Sequence, residues 1–320
     1  QLIPDEIIIG KVKQRTIHVK DDGGLIRIIR HIRLSMFKKT TAPQDPLILQ
    51  LMPIVTQACE ILREEYQRYC SGANFDIEHK SDESPVTQAD FRVNAFITEQ
   101  LAQQFPDVPL LSEEGAVYDR ARWDTFWLLD PLDGTKEFLH QRPEFTLNLS
   151  LVEGIHTTFA ILAIPGEQTV YICPKQGLPL RFNIQQQQWY AYLYVDSGPQ
   201  IQVGLSQSSQ NKPVYEQYLQ ALATIEQDYT VFRAGSAYKF CMMLEDKVDL
   251  YPRFHPTSEW DTSAGQCLIE RIGGGLIDFQ GRPFLYNHRD TLLNGNFIAY
   301  KNAEMKEIAL RALALMANEH

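Results

Sequence analysis

The segment Leu128–Phe138, LLDPLDGTKEF, places two aspartates in an otherwise apolar stretch. Asp130 and Asp133 are separated by a proline and a leucine, and a glycine and a threonine follow them. The apolar run before them is typical of a buried strand. A carboxylate at the end of such a strand is strongly unfavourable unless a cation or hydrogen-bond donors meet it. The segment therefore predicts a positively charged partner at this point of the fold.

Other short apolar runs of the chain also end in acidic residues, or are followed by a helix whose first turn contains an acidic residue. The runs are PVTQAD, PLLSEE and EWD, which supply Asp90, Glu113, Glu114, Glu259 and Asp261. A lone acid at such a place is typical of a helix cap or a turn. In layered α/β proteins, however, ligand sites gather at strand ends. Several acids brought together would repel one another, and carboxylate oxygens suit hard divalent cations. The pattern predicts Mg²⁺ as the cofactor.

The order of residues in DPLDGT fits a metal site next to an anion site. The side chains of Asp130 and Asp133 can flank one or two ions, and the intervening proline leaves the carbonyl of Leu132 free to point inward. Gly134 permits close approach of the backbone. Thr135 begins a helical turn whose free N–H groups can bind an anion. A phosphate ester held by Mg²⁺ ions fits both halves.

Charge and composition exclude several classes of function. The 320 residues carry a formal net charge of −10, and residues 1–35 contribute +3 of it, so the remainder carries −13. Such a body has no basic excess to attract nucleic acid. No apolar stretch reaches the ~20 residues of a membrane span. The five cysteines are scattered without a CxxC pair, which favours free thiols in a reducing cytoplasm.

Composition shifts divide the chain into four expected segments. Residues 1–44 are expected to be an N-terminal extension, of which the part before Met36 reads as non-native or poorly ordered. A metal-binding α+β subdomain follows at 45–197, and an α/β substrate-recognition subdomain at 198–301. Residues 302–320 read as a terminal amphipathic helix.

A weak membrane-surface helix over Leu25–Phe37 is a further possibility in the extension. It would allow a cytoplasmic protein to associate peripherally with the inner membrane. No other feature of the sequence suggests a membrane.

Several motifs accompany the DPLDGTKEF segment in a fixed order between about residues 47 and 300. They are ESPVTQAD, LLSEE, GSAYKF, LYPRF and WDTSAG. Together they resemble the lithium-sensitive, magnesium-dependent phosphomonoesterase superfamily, which includes inositol monophosphatase, fructose bisphosphatase and 3'(2'),5'-bisphosphate nucleotidase. KEF after the DPLDGT motif, where inositol monophosphatases tend to have TNF, favours the nucleotidase branch. The resemblance implies a layered αβαβα sugar-phosphatase-type fold, with an α+β N-terminal part and an α/β C-terminal part.

The resemblance implies a ligand set for two Mg²⁺ ions. Glu113, Asp130 and the Leu132 carbonyl would hold one ion, and Asp130, Asp133 and Asp261 the second, so that Asp130 bridges. A third, weaker ion is a further implication of the resemblance. The nearby Glu114 is expected to orient this set of ligands rather than to bind metal itself.

The resemblance also implies roles in catalysis. Asp90 and Thr135 would polarise the attacking water, with Glu113 nearby, and Asp90 would help to hold the third ion. The amides of Gly134 and Thr135 would hold the scissile phosphate. Direct attack by metal-activated water is expected, since no cysteine or serine lies in a nucleophile motif. Contacts with the substrate's phosphate are expected at Glu113, Leu132, Asp133, Gly134, Thr135 and Asp261.

The second half of the chain is expected to recognise the rest of the substrate. By resemblance, Gly235 and Lys239 of AGSAYKF would lie against a nucleotide, although a helix cap followed by a lysine reaching to solvent is a simpler interpretation. Arg253 of LYPRF suits a second phosphate or a stacked base, and a surface salt bridge is its simpler interpretation. Two further acids are expected to be ordinary: Glu137 as first-turn helix charge and Glu259 as a surface acid.

One motif departs from the nucleotidase pattern. The chain has SQSS at Ser206–Ser209, where nucleotidases of this type tend to have SRSH. Gln207 and Ser209 therefore replace an arginine and a histidine. This change leaves the metal chemistry intact and weakens the prediction of a nucleotide substrate.

The function implied by the resemblance is Mg²⁺-dependent hydrolysis of adenosine 3',5'-bisphosphate to AMP and phosphate. The sulfated form, 3'-phosphoadenylyl sulfate, would give adenylyl sulfate. An inositol phosphate or another sugar phosphate is the alternative substrate. A non-catalytic regulator that binds phosphate or metal is the alternative of another class. The expected partner is the small phosphorylated substrate, and the protein is expected to be a monomer or a homodimer.

Overall fold

The apolar runs of the sequence form two sheets, each with helices on both faces. The computed structural model describes residues 36–75, 77–79, 85–115, 123–194, 200–225 and 229–318. The strands are β1 Phe37–Thr40, β2 Ile77–His79, β3 Pro85–Thr87, β4 Leu110–Ser112, β5 Thr125–Asp133, β6 Thr146–Glu153, β7 His156–Ile164, β8 Thr169–Cys173, β9 Leu180–Asn183, β10 Gln188–Tyr192, β11 Ile201–Ser206, β12 Tyr229–Ala234, β13 Leu250–Arg253, β14 Thr257–Ser258, β15 Gly275–Ile277, β16 Leu293–Asn294 and β17 Phe297–Tyr300. The helices are α1 Pro46–Cys70, α2 Gln88–Gln104, α3 Thr135–Leu139, α4 Pro213–Ile225, α5 Tyr238–Leu244, α6 Glu259–Glu270 and α7 Ala303–Asn318.

The larger sheet has eight strands in the order β1-β10-β9-β8-β7-β6-β5-β4. All its neighbours are antiparallel except β4 and β5, which run parallel, so that both end at the same edge of the sheet. The acidic ends of PLLSEE and WLLDPLD therefore lie side by side. Their position follows from this one parallel pairing.

The smaller sheet has five strands in the order β12-β11-β13-β17-β15. Strand β11 runs parallel to β12 and β13, whereas β17 is antiparallel to β13 and β15. Two short ladders, β2–β3 and β14–β16, lie apart from these sheets.

Alternation of side chains along the strands sorts the core into layers. Leucines at alternate positions of β6 pack with α1 and α2 on one face of the larger sheet. Residues of β7 and β8 pack on the other face with α5 and α6, which also contact β15 and β17. The far face of the smaller sheet packs against α4 and α7. This helix–sheet–helix–sheet–helix order confirms the predicted αβαβα fold class.

The helix α1 begins where the sequence predicts a start. Asp45 caps it by accepting hydrogen bonds from the amides of Leu47 and Ile48, at 2.9 and 3.4 Å, and Pro46 occupies the first turn. The apolar side chains of α1 lie along one buried face, which packs on the larger sheet.

Strand β1 lies inside the segment 1–44 that we expect to be an N-terminal extension. It pairs with β10 and places Phe37 in the core between the sheets. Residues 1–35, which include most of the expected Leu25–Phe37 surface helix, lie outside the described residues, and so does the expected boundary at residues 197–199. Among the described helices, none has the length and apolarity needed to cross a membrane.

The helix α6 lies in the middle layer and packs closely on its neighbours. Its Ser263 hydroxyl donates to the Ser150 hydroxyl of β6 at 2.6 Å. Gly265 of α6 faces the ring of Phe240 on α5 so closely that a Cβ atom would overlap the ring. The glycine therefore sets the distance between α5 and α6.

We predict that Gly265→Ala lowers the free energy of unfolding by about 1–3 kcal/mol, because an added methyl overpacks this contact. The loss would outweigh the higher helix propensity of alanine. Thermal unfolding measures the effect. Gly295→Ala is the matched control, since a Cβ there meets no atom within 4 Å. An equal melting temperature for the two variants would contradict the prediction.

Candidate active site

The two aspartates of the DPLDGT segment lie at the end of β5, where the pairing with β6 becomes irregular. The register with β6 shifts between Asp130 and Asp133, so the backbone leaves the regular ladder at this point. The carboxylate of Asp130 accepts a hydrogen bond from the Leu132 amide at 3.1 Å. Strand end and bulge together direct both carboxylates toward one place.

A third acid reaches the same place from α6. Asp261 is the third residue of this helix and forms a capping box with Ser258, whose amide donates to Asp261 Oδ2 at 2.9 Å. Carboxylate oxygens of Asp130, Asp133 and Asp261 all lie within 4.8 Å of one another. Asp261 is therefore both a helix cap and a member of the cluster.

Each of the three carboxylates makes ionisation of the other two less favourable. Burial raises the pKa of Asp130 well above its ordinary value, and the carboxylates of Glu113, Asp133 and Asp261 raise it further. Burial, then the charges of Asp133 and Glu113, raise the pKa of Asp261 to about 7. Hard oxygen donors crowded in this way fit a divalent cation such as Mg²⁺, whose charge would offset the repulsion.

Glu113 lies beside this cluster at the end of β4. Its amide donates to the Leu129 carbonyl at 3.0 Å, which extends the parallel pairing of β4 with β5. Glu113 lines the same cavity as the three aspartates. The next residue, Glu114, acts on Asp90, whose pKa its charge raises.

Asp90 and Thr135 are joined by a hydrogen bond. The Thr135 hydroxyl lies 3.2 Å from Asp90 Oδ1 and 3.3 Å from the Leu132 carbonyl. The other oxygen of Asp90 accepts from the amide and the hydroxyl of Thr87, at 2.8 and 2.7 Å, in a second capping box. Burial raises the pKa of Asp90 to about 6, although the bonds from Thr87 oppose the rise.

Gly134 adopts a conformation that the turn requires. Its φ of +97° lies in the left-handed region, and a Cβ atom would lie 3.1 Å from Cβ of Ser236. Gly235 packs against Glu137 so tightly that a side chain at 235 would overlap that carboxylate. Both glycines line the cavity, and Glu137 lies in the first turn of α3, as predicted.

Asp133 also contacts Ala237 of the GSAYKF motif and two residues that no motif marks. Its Oδ2 accepts from the Ala237 amide at 2.5 Å and lies 3.4 Å from both Thr146 and Asn148. Thr146 and Asn148 are polar residues at alternate positions of the apolar strand β6. The alternation of polar and apolar residues along β6 could have indicated these contacts from the sequence, since a polar face on a buried strand requires a polar partner.

Lys239 lies behind the cavity wall and does not line it. The side chain is 0% exposed. Its ammonium donates to the carbonyls of Ala234, Gly235 and Ser236 at 3.0, 2.9 and 2.7 Å, and lies 4.7 Å from the centre of the Tyr251 ring. This placement differs from the expected contact with a nucleotide and from a lysine reaching to solvent. Lys239 holds the turn that presents Gly235 and Ala237 to the site.

Arg253 lies in the cavity wall, where a substrate contact is predicted. Its Nη1 donates to the Tyr251 hydroxyl at 3.2 Å. Its Nε is buried and has no hydrogen-bond partner among the residues that the structure describes. A buried cationic donor without a partner favours an anionic ligand. A surface salt bridge, the simpler interpretation, does not fit this burial.

The expectation that Glu259 is a surface acid is wrong. The side chain is 0% exposed, and its carboxylate lies 3.2 Å from Nη2 of Arg289 and accepts from the Asn287 amide at 3.2 Å. The cause is tertiary, because the segment after β15 folds over the start of α6. Glu259 secures that helix and lies outside the cavity lining.

Comparison with known proteins agrees with this arrangement. The model of the inositol monophosphatase family matches residues 44–314 of the chain. The curated 3'(2'),5'-bisphosphate nucleotidase CysQ of Salmonella typhimurium is 34% identical over 255 residues, which cover 76% of this chain and 98% of the relative. CysQ of Haemophilus influenzae is 30% identical over 262 residues, covering 79% of this chain and 92% of the relative.

Solved structures share the fold. CysQ from Bacteroides thetaiotaomicron, a bacterial member of the inositol monophosphatase family, superposes with a TM-score of 0.67 at 28% identity and covers 81% of this chain and 98% of its own. An inositol monophosphatase of Thermotoga maritima gives a TM-score of 0.65 at 17% identity, covering 86% of this chain and 99% of its own. The resemblance seen in the motifs is thereby confirmed. The chain belongs to the inositol monophosphatase family.

Proposed function

We propose that this chain is a Mg²⁺-dependent 3'(2'),5'-bisphosphate nucleotidase. It hydrolyses adenosine 3',5'-bisphosphate to AMP and phosphate, and 3'-phosphoadenylyl sulfate to adenylyl sulfate and phosphate. One observation carries the proposal: Asp130, Asp133 and Asp261 converge in a cavity whose wall also contains the backbone of Gly134 and Thr135. The names of the relatives favour the bisphosphate nucleotide as substrate.

Enzymes of this family use Mg²⁺, and the acids of the cavity offer suitable ligands. We assign Glu113, Asp130 and the Leu132 carbonyl to one ion, and Asp130, Asp133 and Asp261 to a second, with a third ion near Asp90. Bound Mg²⁺ would lower the pKa of a coordinated water and offset the charge that develops on the phosphoryl oxygens. The crowded carboxylates support this assignment, because a bound cation would offset their mutual repulsion.

Asp90 and Thr135 are proposed to orient the attacking water. The threonine proton is directed at Asp90 Oδ1 and the Leu132 carbonyl. The lone pairs of the Thr135 hydroxyl can then accept a hydrogen bond from water. The ionised form of Asp90 accepts the threonine proton, and a Mg²⁺ ion held nearby would favour that ionised form.

The scissile phosphate is proposed to contact the amides of Gly134 and Thr135. These donors lie in the same cavity lining as the acids. Backbone amides fixed in a turn stabilise developing negative charge without reorganising. The wider contact set at Glu113, Leu132, Asp133 and Asp261 would act through the metal ions. Gly235 and Arg253 would contact the remainder of the substrate.

A cytoplasmic location and a monomeric or homodimeric state complete the proposal.

A substrate panel tests the proposed function. Adenosine 3',5'-bisphosphate, inositol 1-phosphate and fructose 1,6-bisphosphate are compared with Mg²⁺, with and without Li⁺. We expect the highest kcat/KM with the nucleotide and inhibition by Li⁺. A preference for inositol 1-phosphate would show that the protein is an inositol monophosphatase and that the nucleotidase proposal is wrong. If none of the three releases phosphate in a Mg²⁺-dependent manner, the enzymatic proposal is wrong.

We predict that Asp133→Asn lowers kcat/KM by about 100-fold or more, because losing even an outer partner of a metal site typically costs 10–100-fold. The fold should remain intact, since asparagine has nearly the same shape. Mg²⁺-dependent phosphate release and circular dichroism measure the two effects. Asp124→Asn, at an exposed position just before β5, is the matched control. Retained activity in Asp133→Asn would contradict its assignment as a metal ligand.

We predict that Mg²⁺ stabilises the protein more at about pH 8 than at about pH 6. The pKa values of Asp261 and Asp90 in the folded metal-free protein, about 7 and about 6, lie above those of unfolded aspartates. The metal-free fold therefore loses stability as the pH rises through these values. Mg²⁺ binds the deprotonated acids, so its benefit grows over the same range.

The shift of melting temperature at one fixed Mg²⁺ concentration measures this dependence. Asp261→Asn should reduce both the shift and its dependence on pH. Equal shifts at the two pH values in the unsubstituted protein would show that the cluster does not titrate in this range.

A further inference from the structure

The cavity of the proposed active site contains cationic side chains as well as acids. It has a volume of about 610 Å³, within the usual range for a small-molecule site. Its lining includes Lys136, Lys212 and Arg253, together with the imidazole of His255. The assigned metal ligands need no protein cation, because Mg²⁺ would supply their positive charge. The cationic side chains of the lining are therefore available to a second anionic group of a substrate.

The SQSS turn does not supply that recognition. Ser209 is 1% exposed, and its hydroxyl donates to the Ser206 carbonyl at 2.6 Å and accepts from Arg233 at 2.9 Å. Ser209 is thus part of the turn itself and is not among the residues that line the cavity. Gln207 and Ser208 line the cavity but carry no charge.

Lys212 lies three positions after this turn and brings a charge to the cavity. Its amide donates to the Ser209 carbonyl at 3.3 Å, and its carbonyl accepts from the Tyr215 amide at 3.1 Å at the start of α4. The backbone of Lys212 is therefore fixed between turn and helix, while its side chain is exposed and lines the cavity.

His255 lines the same cavity and can offer it a hydrogen-bond donor. Its Nδ1 lies 3.0 Å from the Tyr215 hydroxyl, which itself accepts from the Phe254 amide at 3.0 Å. Burial and the charges of Arg253 and Lys212 lower the pKa of His255 to about 3, so the ring is neutral. Since the tyrosine has its own proton to donate, it bonds to Nδ1, and the proton of the neutral ring then lies on Nε2.

We propose that Lys212 and His255 bind the second, non-scissile phosphate of a bisphosphate substrate, an assignment that rests on the nucleotidase function proposed above. The ammonium of Lys212 supplies a charge-assisted hydrogen bond, and His255 Nε2–H supplies a neutral one. Arg253, whose Nε has no hydrogen-bond partner within the described part of the chain, lies in the same wall. These residues take the place of the arginine and histidine that the SQSS turn lacks.

The test compares two substrates that share the scissile 3'-phosphate. Adenosine 3',5'-bisphosphate carries the second phosphate and adenosine 3'-phosphate lacks it. In Lys212→Met we expect the ratio of their kcat/KM values to fall by about tenfold, mainly through KM for the bisphosphate. Lys38→Met, at an exposed position on β1, is the matched control and should keep the ratio of the unsubstituted protein.

Product inhibition gives an independent measure. AMP retains the second phosphate, whereas inorganic phosphate is the group released at the metal end. In Lys212→Met the inhibition constant for AMP should rise by about tenfold. The inhibition constant for inorganic phosphate should rise less.

Two variants of His255 separate its recognition from its packing. His255→Asn keeps a group that can accept from Tyr215 but removes the Nε2 donor, whereas His255→Gln places an amide donor near the Nε2 position. The ratio of kcat/KM for the bisphosphate to kcat/KM for adenosine 3'-phosphate should fall more in the asparagine variant than in the glutamine variant. The two variants should have comparable melting temperatures.

The outcomes distinguish this proposal from the one on which it rests. If the unsubstituted protein does not hydrolyse the bisphosphate, both are overturned. If it does, and Lys212→Met and His255→Asn leave the substrate ratio and the AMP inhibition as they were, only the second-phosphate site is wrong.

Discussion

Repulsion among three crowded carboxylates is the interaction on which the rest of the site depends. Asp130, Asp133 and Asp261 place oxygens within 4.8 Å of one another in the wall of the cavity, where Asp130 is buried and the other two are half-buried. At such distances, and in a medium of reduced dielectric constant, like charges raise one another's pKa values substantially. The fold holds these acids in place with backbone amides, caps and a strand bulge. Such an arrangement is stable in its charged form only with a cation, which links the chemistry of the site to the stability of the protein.

Two of the acids combine helix capping with a proposed role in the site. Asp90 is the third residue of α2 and Asp261 the third residue of α6, and each forms a capping box with the residue before its helix, Thr87 or Ser258. The cap fixes the rotamer of each carboxylate through the first-turn backbone. One oxygen is held by the helix, and the carboxylate is thereby oriented for the site. A capping motif and a catalytic motif are therefore compatible interpretations of the same residues.

The fold class and the acidic half of the site could be predicted from the sequence. Strand ends, helix starts and the DPLDGT turn are local features, and the apolar periodicity on either side determines which way they face. The recognition half could not be predicted to the same extent. Lys239, expected at the nucleotide, bonds to three carbonyls behind the wall, and Glu259, expected at the surface, is buried against Arg289. In both cases the partners come from elsewhere in the fold, and a charged residue gives no local sign of its burial.

The sequence by itself determined that two aspartates, a glycine and a threonine would form a turn, in which we propose a metal-binding and a phosphate-binding half, because backbone geometry there depends mainly on neighbouring residues. Tertiary structure alone decided which acids from distant segments join Asp130, and that Ser209 faces inward while Lys212 and His255 face the cavity. The reason is physical. Burial and proximity arise from contacts between segments far apart in the chain, such as the parallel pairing of β4 with β5 and the packing of α6 on β6.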